Sequence, residues 1–167
     1  MPCTLLPTTT FVIWKISNQC SQGGMMTEIL GVAEAVLYVA DLQRAKTFYT
    51  TVLGLPVTAE FEDACFLQTG PNSTLILFEL EKLQQRQSVI PAHGAKGAGH
   101  IALAIPTDQM NAWRARLQAH GVSIEHEQDW GAGTHSIYFR DPDNNSLELI
   151  DAAHYPRMWQ QIQKKGT

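Results

Sequence analysis

Glu34, Glu79, His100 and Glu148 are the residues on which this chain could build chemistry. Each lies in a short apolar run: Glu34 opens EAVLYV, Glu79 interrupts TLILFEL, His100 opens HIALAI, and Glu148 interrupts the run Leu147 to Ile150. A carboxylate on an apolar wall carries a desolvation cost of about several kcal/mol unless it is paired or coordinated. Three of them brought together cannot all stay ionised without a cation. One imidazole with three carboxylates is an octahedral set for Mn²⁺, Fe²⁺, Co²⁺, Ni²⁺ or Zn²⁺, with one or two positions left for water or substrate. Open positions of that kind permit Lewis-acid chemistry.

The chain repeats a pattern that could bring the four together. Glu34 to Val39 reads as a strand, and Asp41 caps a helix whose Leu42, Ala45, Phe48, Tyr49 and Val52 share one face before Gly54 stops it. Val57 to Glu62, Ala64 to Thr69 and Thr74 to Leu80 read as strands, the last following the turn Gly70-Pro71-Asn72. The order then recurs. His100 to Ile105 is a strand, and Thr107 is the expected N-cap of a helix presenting Met110, Trp113 and Leu117. Val122 to Glu127, His135 to Arg140 and Leu147 to Ile150 are strands, the last after the turn DPDNN, 141–145.

The expected fold is therefore α+β, with two βαβββ modules forming a cupped, eight-stranded mixed sheet and helices on its outer face. The expected boundaries are an N-terminal tail over 1–28, a first module over 29–81, a linker or lid over 82–97, a second module over 98–153, and a tail with a short helix over 154–167. A shift of 66 residues lays Glu34 on His100, and a shift of 69 lays Glu79 on Glu148. Equivalent strand positions in a pseudo-twofold sheet face each other, so the four should converge.

Strand alternation extends the site, because residues two apart share a face. Counting from Glu34 brings Val36 and Tyr38 inward, and counting from Glu79 brings Leu75 and Leu77. His100 brings Ala102 and Ala104; Glu148 brings Ser146 and Ile150. Centring the last turn on Asp143 sets Tyr138 opposite Glu148, with Ser136 and Arg140 on its side, while His135 points the other way. The inner wall is thus largely apolar with a few polar groups set into it. His93, in the linker, reads as a solvated loop residue that a lid would bring inward as a general base. His120 reads as a helix C-terminal cation.

Composition narrows the partner. The chain has 167 residues, enough for one domain with a sizeable core, and 12 Lys and Arg against 16 Asp and Glu give a net charge of −4. No basic run marks a nucleic-acid or anionic-membrane footprint, so a small molecule is the expected partner. Cys3, Cys20 and Cys65 are odd in number and form no CxxC, which argues against a disulfide framework and a thiolate zinc site and for a reducing cytoplasm. Pro7 and Thr8 to Thr10 interrupt the apolar start, which argues against a signal peptide, and no apolar run approaches the roughly 20 residues of a membrane span.

The stretches DLQRAKTFYTTVLGLPV, GHIALAI and FRDPDNNSLELID resemble the vicinal oxygen chelate superfamily, which includes glyoxalase I, extradiol dioxygenases, fosfomycin-resistance transferases and bleomycin-resistance proteins. The resemblance runs over roughly residues 29 to 153. It implies a cupped sheet around one divalent metal held from the first and last strands of each module, which on this chain are the positions of Glu34, Glu79, His100 and Glu148. Extradiol dioxygenases and fosfomycin transferases place a His where Glu34 stands. Glyoxalase I, with His or Gln and then Glu, His and Glu, is the better match in ligand pattern. There one metal-bound glutamate doubles as the base, a role that Glu79 or Glu148 would take here beside Tyr138. Tyr38 stands where glyoxalase I has an arginine for glutathione, which counts against glutathione as cosubstrate. A homodimer is implied as well.

Two classes of function follow. One is a glyoxalase I-like, metal-dependent lyase or isomerase acting on a vicinal-oxygen or carbonyl substrate, with an Fe²⁺-dependent extradiol dioxygenase as the variant within that class. The other is a metal-free binding protein of the bleomycin-resistance kind, holding a ligand in an apolar groove. The clustered carboxylates disfavour the second, since repulsion and burial without a cation would cost stability near neutral pH.

Overall fold

A computed structural model describes residues 32–87, 91, 93–131 and 133–152. The N-terminal tail and the helix expected after residue 153 lie outside the described residues. Among the described residues, eight strands and three α-helices follow in the order β1 (Glu34–Val39), α1 (Leu42–Thr51), β2 (Val57–Glu60), β3 (Ala64–Gly70), β4 (Ser73–Glu79), α2 (Leu80–Gln85), β5 (His100–Ile105), α3 (Met110–Ala119), β6 (Ile124–Gly131), β7 (Thr134–Arg140) and β8 (Ser146–Asp151). The strands form two four-stranded mixed sheets of identical order, β1-β4-β3-β2 and β5-β8-β7-β6. In each, the first strand runs parallel to the last and the other pairings are antiparallel. These are the two βαβββ modules.

Helix α1 starts where Asp41 accepts a hydrogen bond from the Arg44 backbone N–H at 2.9 Å, and Gly54, with φ of 71°, carries the chain out of it. The helix of the second module begins differently. A 3₁₀ turn over Thr107–Gln109 precedes α3, and Thr107 gives its hydroxyl to Asp151 at 2.6 Å instead of capping the helix. Helix α2 is also unforeseen: the chain turns helical directly after Glu79, where a linker was expected.

One apolar core joins the modules. It contains Leu37, Val39, Leu75 and Leu77 from the first sheet and Ile105, Ile137, Phe139, Leu147 and Leu149 from the second, with Leu42, Ala45, Tyr49, Met110 and Leu117 from α1 and α3. Polar contacts fix the modules together at its edge. The Tyr49 hydroxyl donates to Asp141 Oδ2 at 2.9 Å, and Asp141 also accepts from the backbone N–H groups of Asp143 and Asn145 and from Asn145 Nδ2. Asp143 Oδ1 accepts from the Ala40 N–H and from Arg44, both at 2.8 Å. In return, Arg116 on α3 donates to the carbonyls of Thr51 and Val52 at the end of α1, satisfying acceptors that a helix C-terminus leaves open.

The register corrects the expected inner wall. Val36 lies beside Ile76, Tyr38 beside Phe78, and Val39 beside Glu79. Ile76 and Phe78 therefore share the face of Val36 and Tyr38, whereas Leu75 and Leu77 are fully buried in the core on the other side. The modules superpose at β4 and β8 with a shift of 72, since Val36 pairs with Ile76 as Ala102 pairs with Glu148. The counterpart of Glu148 is Ile76, not Glu79. Counting inward from Glu79 failed because that residue closes its strand and leads into α2.

Candidate metal centre

The second sheet brings two of the expected ligands together. His100 heads β5 and Glu148 lies mid-strand in β8, with Ala102 between them in the pairing. His100 Nε2 stands 3.4 Å from Glu148 Oε2, and His100 Nδ1 lies 3.2 Å from the carbonyl of Ser146. A carbonyl only accepts, so that contact places a ring proton on Nδ1, and in the neutral ring the lone pair is on Nε2. Two lone-pair atoms facing each other at this distance need a proton or a cation between them. Metal bonds of about 2.1 Å at tetrahedral to right angles set donor atoms roughly 3.0 to 3.4 Å apart, so the pair fits two positions on one divalent ion.

The other atoms of the pair are already engaged. Glu148, 7 % exposed, accepts at Oε1 from the Ser136 hydroxyl at 2.5 Å, and Ser136 Oγ accepts from Trp130 Nε1 at 2.9 Å. Tyr138 lies directly opposite Glu148 in the β7–β8 pairing. Burial first, then the hydrogen bond and charge of Glu148, push its phenol up to about 12. Its ring is stacked on His100 with centroids 6.3 Å apart, and the tilted His126 ring lies 6.0 Å from it. Ile150 pairs with Ser136 on the same face, and the exposed Ala102 and Ala104 leave the floor low. Arg140 turns outward to Glu125 at 2.8 Å.

The remaining expected ligands stand elsewhere. Glu34 is exposed at the first position of β1 and lines a cleft of about 390 Å³ with Thr69, Ser73 and Trp113. Glu79 pairs with Lys82 at 3.2 Å, on the strand register that faces away from Tyr38. Among the described residues, no three His, Cys, Asp or Glu side chains converge as a metal-holding group. His100 and Glu148 are the two that the structure brings together.

On the first module the inner face is an apolar patch of Val36, Tyr38, Ala64, Phe66, Ile76, Phe78 and Leu83. His93 lies against it, its Nδ1 2.8 Å from the Tyr38 hydroxyl and its ring 5.1 Å from Phe78. His126 and Trp130 escaped the sequence reading. Their strand slips register between Ile124 and His126 and again between Asp129 and Gly131, so simple alternation loses its phase there. The residue types were the only available signal.

The model of the Glyoxalase/Bleomycin resistance protein/Dioxygenase superfamily matches residues 31–149. The lactoylglutathione lyase of Salmonella typhimurium is 30% identical over 123 residues, which are 70% of this chain and 89% of that enzyme. A catechol-2,3-dioxygenase of Bacillus subtilis is 27% identical over 137 residues, 81% of this chain but 46% of that protein, so the chain spans about half of its length. The crystal structure of lactoylglutathione lyase from Agrobacterium tumefaciens superposes with a TM-score of 0.70 at 30% identity, over 75% of this chain and 96% of that one.

Proposed function

The chain belongs to the glyoxalase/bleomycin resistance protein/dioxygenase superfamily, and from that premise we propose that it is a metal-dependent enzyme, glyoxalase I-like in type, acting as a lyase or isomerase on a small vicinal-oxygen or carbonyl substrate. The observation that carries this reading is the facing of His100 Nε2 and Glu148 Oε2 at 3.4 Å, each with its second polar atom held by the protein. His100 and Glu148 would hold the divalent ion, which when bound would supply polarisation of adjacent substrate oxygens.

The protein's own groups do the rest. Glu148 is the carboxylate on this face positioned to move a proton. Tyr138, protonated throughout the physiological range, offers a hydroxyl donor beside it. Ser136 steadies the carboxylate, Ile150 and Ala102 form the apolar and low parts of the wall, and Val36, Tyr38, Ile76 and Phe78 supply the apolar surface of the other module. Tyr38 presents no cation for a glutathione carboxylate, which counts against a glutathione adduct as the substrate.

Glu34 is assigned as a further ligand delivered by a second copy of the chain in a homodimer. Among the described residues no third His, Cys, Asp or Glu side chain joins His100 and Glu148 as a metal-holding group, which leaves that position to be filled from outside the chain. The apparent alternative of a metal-free binding protein leaves the facing lone pairs of His100 and Glu148 to a shared proton. A reducing, cytoplasmic location suits the free, buried Cys65, and among the described residues no helix is long and apolar enough to cross a membrane.

A second reading, an Fe²⁺-dependent extradiol dioxygenase, is favoured by one observation: Ile76 occupies the place equivalent to Glu148. The inner face of the first module therefore lacks the second carboxylate of a four-ligand glyoxalase I. The test is elemental analysis of purified protein after incubation with each of Mn²⁺, Fe²⁺, Co²⁺, Ni²⁺ and Zn²⁺, followed by assays of the loaded protein. Isomerisation of a 2-oxoaldehyde hemithioacetal supports the first reading, and oxygen uptake with catechols supports the second. Protein that retains no metal under any of these conditions overturns both and leaves the binding-protein reading.

A further inference from the structure

Trp130, Ser136 and Glu148 form a hydrogen-bonded chain whose direction is fixed by the donors available. An indole N–H only donates, so at 2.9 Å Trp130 Nε1 gives its proton to Ser136 Oγ. A hydroxyl has a single proton. The proton of Ser136 is therefore free to point at Glu148 Oε1, 2.5 Å away, in a charge-assisted bond. Ser136 is 1% exposed, so water does not readily replace either partner.

We propose that Trp130 and Ser136 are positioning residues that present Glu148 to a divalent ion through Oε2 alone. The inference rests on the metal reading above and goes beyond it. A carboxylate that binds a metal through both oxygens takes two coordination positions. To do so here, Oε1 would have to share its lone pairs between the ion and Ser136, weakening a buried charge-assisted bond and the indole contact behind it. Held at Oε1, the carboxylate takes one position and keeps an adjacent one open. A substrate that binds through two neighbouring oxygens needs two open positions side by side. The chain of hydrogen bonds thereby selects chelating substrates over ligands with one donor atom, and it does so from outside the set of ligands.

The test is titration of the metal-stripped full chain with Co²⁺, reading both affinity and the visible absorption spectrum of the bound ion. The variants are Ser136→Ala, Ser136→Thr and Trp130→Phe, with His100→Ala as the control. Ser136→Ala is expected to weaken Co²⁺ binding by about 10 to 100-fold and to change the spectrum as the second oxygen joins the coordination. Ser136→Thr, which keeps the hydroxyl, restores both readouts, and Trp130→Phe shifts the spectrum in the same direction as Ser136→Ala but less. Wild-type binding lost in His100→Ala but equal in affinity and spectrum to Ser136→Ala overturns the inference and leaves the metal reading standing. No Co²⁺ bound by the wild type overturns both. If Ser136→Ala does not fold, an unchanged spectrum in Trp130→Phe overturns the positioning role by itself.

Discussion

His100 Nε2 and Glu148 Oε2 face each other at 3.4 Å across the β5 and β8 strands, while His100 Nδ1 meets the Ser146 carbonyl and Glu148 Oε1 meets the Ser136 hydroxyl. His100 Nε2 and Glu148 Oε2 are thus the atoms of the pair that face the same space. Replacing either by alanine removes half of this pair. His100→Ala and Glu148→Ala are expected to lose bound metal by elemental analysis under purification that leaves it in the wild type. Glu148→Gln keeps a donor oxygen but no basicity, so it should turn over at a small fraction of the wild-type rate; full activity would remove the base assignment.

Glu79 provides the contrasting case. Its carboxylate pairs with Lys82 near the surface, with side-chain exposures of 17% and 45%, and such pairs contribute about 0 to 1 kcal/mol. Glu79→Gln should keep its metal content and shift the urea midpoint little. Loss of metal in this variant would restore Glu79 to the ligand set.

The register separates Leu77 from Phe78. Leu77 is fully buried in the shared core, and truncation to alanine should cost about 2 to 5 kcal/mol in denaturant unfolding. Phe78 lies on the inner face among Val36, Tyr38 and Ile76, so Phe78→Ala should instead raise KM for an apolar substrate by more than it changes stability. The opposite pattern would mean that the sheet is slipped by one residue.

Tyr49 and Asp141 lock the modules at 2.9 Å in a buried setting. Tyr49→Phe leaves the Asp141 carboxylate short of one donor, at a cost of about 1 to 3 kcal/mol read from chemical denaturation. Site chemistry should survive at temperatures where the variant remains folded.

Alkaline titration reports on Tyr49 and Tyr138. Of the four in the sequence, Tyr49 is pushed up by burial and then by Asp141, and Tyr138 to about 12 by burial and then by Glu148. A phenol whose folded value lies above its unfolded value near 10 adds stability that is complete below 10 and is lost as pH rises through the folded value. In metal-stripped protein, near-ultraviolet absorbance should show Tyr138 ionising only near 12 and stability falling from about pH 10 upward. Tyr138→Phe should shrink the late phase; an unchanged late phase would contradict its contact with Glu148.

Local patterns made much of this protein legible in the sequence. Strands Glu34–Val39 and His100–Ile105 follow directly from their apolar runs, and α1 from its cap, its buried stripe and its closing glycine. The pairing of Tyr138 with Glu148 follows from the length of one turn. These features depend on neighbours in the chain, whose spacing is written in the residue order.

Tertiary structure decided the rest. Whether Glu79 or Ile76 matches Glu148 depends on how β1 lies along β4, a pairing between segments about forty residues apart that packing against the shared core selects, because a one-residue slip would turn Leu75 and Leu77 out of it. The same holds for Trp130, which reaches Ser136 only because β6 slips register on β7, and for Tyr49, whose hydroxyl finds Asp141 in the other module. Residue types named the chemistry this chain could do; the burial of apolar side chains from both modules in one core set which of them meet.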